Sequence, residues 1–587
     1  IHKLLNIAMG LEGMPRQAST HACGIVITKD PVDTYVPLYV RDGQIATQYI
    51  MTTLEELGLL KMDFLGLRTL TVIQDTKNLV KQNRGIDVQF DKEMSDPKVY
   101  KLWQEGKTCG IFQFESQGMT NFMKELKPDC LEDIIAGVSL YRPGPMDQIP
   151  RYIRGKQNPG HNEYTHPSLE PILNVTYGCM VYQEQVMQIV RELAGYSLGR
   201  ADLVRRAMGK KKLDVMAKER EVFIHGQLDE NKNVVVPGCV RNGIDENSAN
   251  KIFDEMAEFA KYAFNKSHAA CYAVISYQTA YLKAYYPAEF MAAMLNSFLG
   301  NLDKIPQYVD ECKTLGIEIL KPDINNSNTK FTVEQNKIRF GLGSIKNVGT
   351  IPVEIIVKER EKNGKYQSFT DFCERIANEA VNKKCVESLI KAGCFDEFEQ
   401  TRSTLLASFE LIIDQIQSNN KKGMQGQVSM FDLGGSKEEQ ESLNEIKYTF
   451  NEQEELSNKE LLSIEKEMLG IYISGHPLEK LKKQIAAQTN INSMQIKNIT
   501  QVNNLNPEDA NPTISTNINK FTDGQKVKYA GIITQIKKKY TKNNKIMAFV
   551  TIEDLYGTVE VIVFENAYMN AGKSLIEENI VMVDRKT

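Results

Sequence analysis

The sequence predicts a multidomain α+β protein, and three observations support this fold class. At 587 residues the chain is too long for a single hydrophobic core, so about three to five domains are expected. Residues 79–290 carry apolar side chains at three- and four-residue spacing, the period of amphipathic helices. Residues 527–564 alternate between apolar and polar side chains, as strands do.

Composition excludes several classes of protein. The hydrophobic and charged fractions, 42% and 25%, are typical of globular proteins. No run reaches the ~18 apolar residues of a membrane helix, and no signal-peptide pattern is present. Ten cysteines without a C-x₂-C pair favour a reducing cytoplasm over a disulfide scaffold or a zinc ribbon. We therefore expect a cytoplasmic protein without membrane contact. Because the chain starts at Ile1 inside a helical pattern, we also expect a fragment of a longer protein.

The net charge of −4 does not indicate a nucleic-acid binder, but net charge hides local basic stretches. The pattern changes several times along the chain. The first predicted segments are an opening helix, a strand at 24–27, an extended stretch at 31–39 and a strand at 59–64. Helices are predicted over 79–290 and over 291–430, the latter around a short β segment at 328–341. Polar linkers are predicted at 415–460 and 485–522, and strands over 527–564.

The most informative motif is Lys61-Met62-Asp63-Phe64-Leu65-Gly66-Leu67-Arg68-Thr69-Leu70. A buried strand ending in Asp63 can offer one oxygen ligand to Mg²⁺, for which substrate phosphates supply further oxygens. Lys61 beside it can balance phosphate charge. The spacing alone is equally typical of a solvated ion pair at the edge of a strand or helix.

This motif resembles, almost letter for letter, the third-carboxylate motif of bacterial DNA polymerase III alpha subunits, the replicative C-family polymerases. The resemblance implies that Asp63 is one of three carboxylates holding two Mg²⁺ ions and that Lys61 faces the substrate. Arg68 would bind nucleotide or DNA. The other two family carboxylates lie in a Pro-Asp-x-Asp-x-Asp segment that this sequence lacks. Residues 1–78 would be the last part of a nucleotidyltransferase-like palm, without the N-terminal PHP domain and the first part of the palm.

A second cluster places six cations within thirteen residues, 200–212. Such a patch suits a triphosphate or a nucleic-acid backbone, although cations at a solvated helix end would look the same. Segments 110–116, 140–146, 177–187, 199–212 and 263–272 resemble the fingers of the same family. The resemblance implies a fingers domain over 79–290, in which the nucleotide- or DNA-binding residues are Arg142, Tyr182, Gln183, Arg205, Arg206, Lys210, Lys266 and His268.

Two further segments predict binding, one to DNA and one to a protein. The glycines of Phe340–Gly349 resemble a helix-hairpin-helix, in which Gly343, Lys346 and Gly349 would meet a DNA phosphate; a plain turn is the alternative. Gln427, Met430 and Phe431 lie in a polar stretch and resemble the peptide that docks on a sliding clamp.

These two segments would lie in a clamp-binding domain, 291–432. Residues 433–522 would be a linker with a helical connector. Residues 523–587 would form a partial OB-fold β-barrel. Gly572-Lys573-Ser574 lacks the upstream glycine of a P-loop, so no P-loop is predicted.

The resemblance implies template-directed DNA synthesis, in which a deoxynucleoside monophosphate is added to a primer 3′-hydroxyl and pyrophosphate is released by two-metal catalysis. The fragment alone would be inactive. Implied partners are primer-template DNA, deoxynucleoside triphosphates and the sliding clamp, with the proofreading exonuclease and clamp loader contacting other regions. One alternative is a non-catalytic clamp adaptor, but an adaptor would not need Asp63 and Lys61. The other is an error-prone paralogue of the same family, and the clamp peptide favours the replicative form over it.

Overall fold

The structure is a computed structural model. It describes residues 2–14, 19–21, 23–41, 43–142, 145–158, 160–209, 213–259, 264–301, 304–376, 381–424, 448–493, 495–496, 526–540, 545–572 and 574–586. Contacts divide the chain into two units, residues 1–71 and residues 72–587. Among the described residues, no helix combines the length and the apolar character needed to cross a bilayer.

Helices dominate the described residues. In chain order they are α1 (His2–Leu11), α2 (Met51–Glu56), α3 (Arg68–Arg84), α4 (Pro97–Gln104), α5 (Gln117–Leu126), α6 (Leu131–Leu140), α7 (Ile149–Gln157), α8 (Glu170–Leu173), α9 (Gln183–Ala194), α10 (Leu198–Gly209), α11 (Leu213–His225), α12 (Gly238–Arg241), α13 (Glu246–Phe259), α14 (Lys266–Tyr285), α15 (Pro287–Asn296), α16 (Ile305–Thr314), α17 (Thr350–Asn363), α18 (Phe369–Ile376), α19 (Lys383–Lys391), α20 (Arg402–Met424), α21 (Asn458–Leu469), α22 (Lys482–Gln488) and α23 (Glu565–Ala571).

The strands form small sheets. They are β1 (Gly24–Ile27), β2 (Leu38–Arg41), β3 (Gln44–Thr47), β4 (Leu60–Asp63), β5 (Gln227–Leu228), β6 (Val234–Val236), β7 (Ile319–Leu320), β8 (Thr332–Glu334), β9 (Lys337–Arg339), β10 (Lys526–Tyr540), β11 (Ile546–Glu553), β12 (Thr558–Val563) and β13 (Ile580–Lys586). The pairs β1-β4, β2-β3 and β5-β6 are antiparallel, β7-β9-β8 is mixed, and β12-β11-β10-β13 is an antiparallel four-stranded sheet.

The first unit, residues 1–71, contains the predicted strands at 24–27 and 59–64, which pair as β1 and β4. The prediction of a buried strand is wrong, because Leu60, Met62 and Asp63 are exposed within this unit. The prediction of an extended 31–39 is partly wrong. Pro31 begins a 3₁₀ turn over Val32–Thr34, since its fixed backbone angle suits the start of a turn, and the strand starts only at Leu38.

The second unit, residues 72–587, has four hydrophobic cores. One fills the space among α3, α15 to α20 and the last turn of α21. Another lies among α8 to α13, and a third lies among α4 to α7 and α14. The fourth belongs to the β10–β13 sheet. The apolar faces of the predicted amphipathic helices are thus buried in separate helical cores. The sheet with its own core follows them in the chain.

The glycine-rich segment at 340–349 lies between β9 and α17. Only a 3₁₀ turn, Leu342–Ser344, precedes the hairpin, so the first helix of this motif is a single turn. Gly341 and Gly343 lie against the backbone of residues 329–331; a β-carbon at Gly343 would lie 2.8 Å from the carbonyl oxygen of Thr329. This close packing requires the two glycines.

Candidate functional site

The antiparallel pair β1-β4 positions the first cluster. Gly24 lies opposite Asp63, and Val26 lies opposite Lys61. Lys61 and Asp63 are two residues apart on one strand, so their side chains leave the same face. The Lys61 ammonium lies 2.6 Å from Asp63 Oδ1. The sequence therefore folds locally so that the predicted metal ligand and the predicted phosphate-facing cation form a hydrogen-bonded ion pair.

The electrostatics of this pair keep Asp63 ionised. The hydrogen bond from Lys61 lowers the pKa of the Asp63 carboxyl below its usual value. The Asp63 side chain is 42% exposed, so a ligand can approach it from solvent. Arg68, the other residue predicted from this motif, starts α3 and is exposed.

His21 closes the cluster on the other side. Its Nδ1 accepts hydrogen bonds from the backbone N–H of Gly24 at 2.8 Å and of Cys23 at 3.3 Å. Because a backbone N–H can only donate, the ring proton of neutral His21 is on Nε2. The 3.9 Å between Nδ1 and Asp63 Oδ1 is therefore not a hydrogen bond. These contacts give His21 a structural role at the start of β1.

Gly24 is a residue whose role the sequence analysis missed. A β-carbon there would lie 2.6 Å from Lys61 Cε, 2.9 Å from His21 Nδ1 and 3.0 Å from Asp63 Oδ1. Only glycine lets these three side chains converge over the backbone of β1. Its position opposite Asp63 could have been inferred had the β1-β4 register been known.

Three side chains of this cluster carry atoms that could bind a divalent cation. His21, Cys23 and Asp63 bring ligand atoms within 4.8 Å of one another. However, the Nδ1 lone pair of His21 already accepts two N–H groups, which leaves the Asp63 carboxylate as the suitable oxygen donor. One carboxylate fits the hard-ligand preference of Mg²⁺ but by itself is too few protein ligands for two ions.

The second cluster lies in the helical unit, on α10. Asp202 Oδ1 accepts hydrogen bonds from Arg205 Nε at 3.0 Å and Nη2 at 2.7 Å. Asp202 Oδ2 lies 2.7 Å from Arg206 Nε. Arg205 Nη1 also donates to Gln183 Oε1 at 3.0 Å. Three residues predicted to bind nucleotide, Gln183, Arg205 and Arg206, are thus connected, and the connecting residue is Asp202, which the sequence analysis did not select.

A short backbone contact ties this cluster to the start of α14. Tyr182 and Phe264 form an isolated parallel β-bridge, and the Gln183 N–H donates to the Phe264 carbonyl oxygen at 2.9 Å. Tyr182 is fully buried, and burial raises the pKa of its phenol. In this structure the buried Tyr182 therefore contributes to the packing that holds the cluster together. Its predicted contact with nucleotide stays a prediction.

Phe264 is the third residue that the sequence did not indicate, after Gly24 and Asp202. The Arg142 guanidinium lies 3.7 Å from the centre of its ring. The His268 ring meets Phe264 edge-on at 5.3 Å and stacks on Tyr272 at 4.2 Å. Arg142 and His268, predicted from separate loops, are therefore brought together by one aromatic ring. Residue spacing gave no signal for this, because the contact joins positions 122 residues apart in the sequence.

The N-terminus of α14 is occupied by side chains. Asn265 caps it by accepting the His268 N–H, and the Glu184 carboxylate accepts the Lys266 N–H at 3.0 Å. The Lys266 ammonium lies 3.1 Å from Glu132. Lys266 is thus placed at the cluster but paired with a carboxylate. Lys210 lies outside the described residues.

The glycine-rich hairpin rests on α21. The Lys346 N–H donates to the Met468 carbonyl oxygen, and its ammonium lies 3.4 Å from Glu467. The Gly343 N–H donates to the Thr329 carbonyl oxygen within the fold, whereas Gly349 is exposed at the start of α17. Gln427, Met430 and Phe431 lie outside the described residues.

Comparison with known proteins identifies two nucleic-acid-binding modules in the chain. Residues 316–405 match a family model described as a helix-hairpin-helix motif, and residues 527–585 match an OB-fold nucleic acid binding domain. These matches confirm the predicted helix-hairpin-helix and the predicted OB-fold, and they define a protein class with DNA-binding modules.

Two other family models specify the family. Residues 1–66 match the bacterial DNA polymerase III alpha NTPase domain, and residues 69–231 match the bacterial DNA polymerase III alpha subunit finger domain. Both matches are to domains of bacterial DNA polymerase III alpha subunits, as the resemblance implied.

Curated relatives cover nearly the whole chain. It is 43% identical to DNA polymerase III subunit alpha of Borreliella burgdorferi over 99% of this chain and 48% of the relative. It is 41% identical to the Thermus aquaticus protein of the same name, over 99% of this chain and 45% of the relative. It is 39% identical to that of Bacillus subtilis, over 98% of this chain and 48% of the relative. The chain thus spans about half the length of the curated relatives it matches.

Proposed function

We propose that these 587 residues form part of a replicative DNA polymerase that adds deoxynucleoside monophosphates to a primer 3′-hydroxyl and releases pyrophosphate. The observation that carries the proposal is the Lys61–Asp63 ion pair, which lies in the family's third-carboxylate motif. A non-catalytic clamp adaptor would need neither residue.

Each residue of the pair has a separate role in the proposal. Asp63 stays ionised and would be one protein ligand of a divalent cation, in this proposal Mg²⁺. When bound, such ions supply Lewis-acid chemistry for phosphoryl transfer. Lys61 orients the Asp63 carboxylate in the absence of substrate and would face the triphosphate when it binds. Two ions need more carboxylates than Asp63 offers, so we expect a polypeptide of residues 1–587 alone to be inactive.

The helical cluster would bind the incoming triphosphate and the DNA backbone. Arg142, Arg205 and Arg206 carry guanidinium groups suited to phosphate oxygens, and Lys210 and Lys266 would add charge. Arg68, in the first unit, would bind nucleotide or DNA separately. Gly349 and Lys346 in the hairpin, together with the OB-fold sheet, would contact DNA without base specificity. His268 would face the substrate.

The sliding clamp is the proposed protein partner. Met430 and Phe431 are apolar residues within a polar stretch, so burial on a partner would stabilise the complex by about 1.5–3 kcal/mol per side chain. The double change Met430→Ala and Phe431→Ala should abolish binding to a bacterial sliding clamp and leave DNA binding intact. We propose that the exonuclease and clamp loader bind elsewhere in the full-length protein.

The test of polymerase function is a chimera in which residues 1–587 replace the matching part of the Borreliella burgdorferi relative. The chimera should extend a primer, and residues 1–587 alone should not. Asp63→Asn should lower kcat on the order of 10²–10³-fold, since metal coordination contributes several kcal/mol to the transition state. Asp33→Asn, an exposed residue of the same unit, is the matched control.

Two results would contradict parts of the proposal. Primer extension by residues 1–587 alone would contradict the expected inactivity of this polypeptide, because Asp63 would then not depend on further carboxylates. Equal loss of primer-template binding and kcat in Asp63→Asn would give Asp63 a structural role.

A further inference from the structure

One carboxylate in the basic helix α10 engages both of its neighbouring guanidinium groups. Asp202 accepts two hydrogen bonds from Arg205 through Oδ1 and contacts Arg206 through Oδ2. The spacings are three and four residues, so all three side chains lie on one side of the helix. The carboxylate therefore uses both oxygens on cations of its own helix.

The fold has little need of this contact. Arg206 is 63% exposed and Asp202 is partly exposed, and exposed ion pairs within a helix contribute little to stability. The other ion pair of α10 differs in this respect. Arg200 pairs with Glu219 of α11, and Tyr196 donates to the same carboxylate. That pair joins two helices, whereas among the described residues Asp202 itself contacts only α10 and is linked to α9 through Arg205, which donates to Gln183.

A phosphate oxygen would compete with Asp202 for the same donors. Carboxylates and phosphates accept the guanidinium N–H groups in the same two-pronged geometry. The hydrogen bond from Arg205 lowers the pKa of Asp202, so the carboxylate carries its charge when an anion arrives. An anion that binds Arg205 and Arg206 must therefore displace Asp202 or lie beside its negative charge.

We propose that Asp202 is a positioning residue that competes with pyrophosphate for Arg205 and Arg206. The proposal rests on the proposed function, in which these arginines hold the triphosphate. Asp202 holds both guanidinium groups in a fixed orientation before the nucleotide binds. It returns to them as pyrophosphate leaves. This competition weakens ground-state binding and speeds product release, which benefits an enzyme that repeats one reaction many times.

The test measures the affinity of the 587-residue chain for inorganic pyrophosphate by calorimetry, without divalent cations. Asp202→Asn should bind pyrophosphate about three- to tenfold more tightly, because two cations lose their competing carboxylate. Asp202→Ala, which also favours a helix, should behave in the same way. The charge-matched control is Glu192→Gln, which removes one negative charge from an exposed pair on α9 and should leave the affinity unchanged.

The possible outcomes separate this proposal from the proposed function. If Arg205→Ala with Arg206→Ala leaves pyrophosphate affinity unchanged, the arginines do not bind phosphate and the proposed function of the cluster fails. If those changes weaken binding but Asp202→Asn does not tighten it, only the role of Asp202 is overturned. Equal tightening in Glu192→Gln would also overturn it, because the effect would then be one of net charge. A thermal melt by circular dichroism checks that each variant is folded.

Discussion

Replacing the buried Lys283 should destabilise the helical unit strongly. Lys283 lies in the last turn of α14, and its side chain is 0% exposed. Its ammonium donates to Glu311 Oε1 at 2.6 Å and to the carbonyl oxygens of Lys107 at 2.9 Å and Cys109 at 2.7 Å. One side chain thus ties α14 to α16 and to the loop that precedes the 110–116 segment of the fingers.

The cost of Lys283→Met can be worked from these contacts. Methionine keeps an apolar stem of similar length, so little packing is lost. The change leaves Glu311 without its cation, and removing one partner of a buried pair costs about 3–5 kcal/mol. Two carbonyl groups would also lose a donor, at roughly 1–3 kcal/mol each if water cannot reach them. Glu311 retains some exposure, so we expect a total of about 4 kcal/mol.

The assay is urea unfolding followed by tryptophan fluorescence. The chain has a single tryptophan, Trp103, which is fully buried in the core that also contains α14 residues. Its emission therefore reports on the region around Lys283. Lys101→Met is the matched control, because Lys101 is 67% exposed and pairs with Glu105 at 3.5 Å. That variant should change the free energy of unfolding by less than about 0.5 kcal/mol.

A second variant tests the cause of the loss. Lys283→Met combined with Glu311→Gln removes the stranded charge and should recover part of the stability lost in Lys283→Met. The reasoning would be refuted if Lys283→Met lowered the free energy of unfolding by less than about 1 kcal/mol, a value within the range of ordinary surface changes.

Three further outcomes are expected. Phe264→Leu removes the aromatic face under Arg142 and should lower kcat/KM for nucleotide in the chimera about two- to thirtyfold, since a cation–π contact contributes roughly 0.5–2 kcal/mol. Gly24→Ala places a β-carbon 2.6 Å from Lys61, so kcat in the chimera should fall at least about tenfold while primer-template affinity is retained. Burial would raise the pKa of Glu553, but neighbouring His476 and Lys466 lower it to about 2. Its contribution to stability is therefore complete above about pH 4.5 and lost as pH falls toward 2, and urea midpoints of wild type and Glu553→Gln should converge over that range.

Local patterns were predicted well because local physics determines them. The apolar stretches at 24–27 and 59–64 were predicted as strands and form β1 and β4, and the spacing over 79–290 predicted helices. The strands after residue 526 were predicted for the same reason, although β13 at Ile580–Lys586 was not. That strand pairs with β10 across some fifty residues of sequence, and no local pattern specifies such a partner.

The sequence predicted part of the candidate site, namely Tyr182, Gln183 and several of its charged residues. Lys61, Asp63, Arg205 and Arg206 stand out by motif and charge density. Asp202 did not, because an acidic residue in a basic helix has the appearance of ordinary charge balance. Its proposed role depends on side-chain conformations that bring the Asp202 carboxylate to the guanidinium groups of Arg205 and Arg206. Such conformations cannot be inferred from the sequence.

The Tyr182–Phe264 bridge explains why separate motifs act as one cluster. It holds the start of α9 beside the start of α14. Glu184, the second residue of α9, then places its carboxylate on the Lys266 N–H, where the partial positive charge of the α14 dipole would otherwise attract an anion. A phosphate arriving here cannot use the α14 terminus without displacing Glu184. In the proposed function, its recognition would therefore come from the guanidinium groups that Phe264 and Asp202 orient, and this is why changes to those two supporting residues should alter phosphate binding.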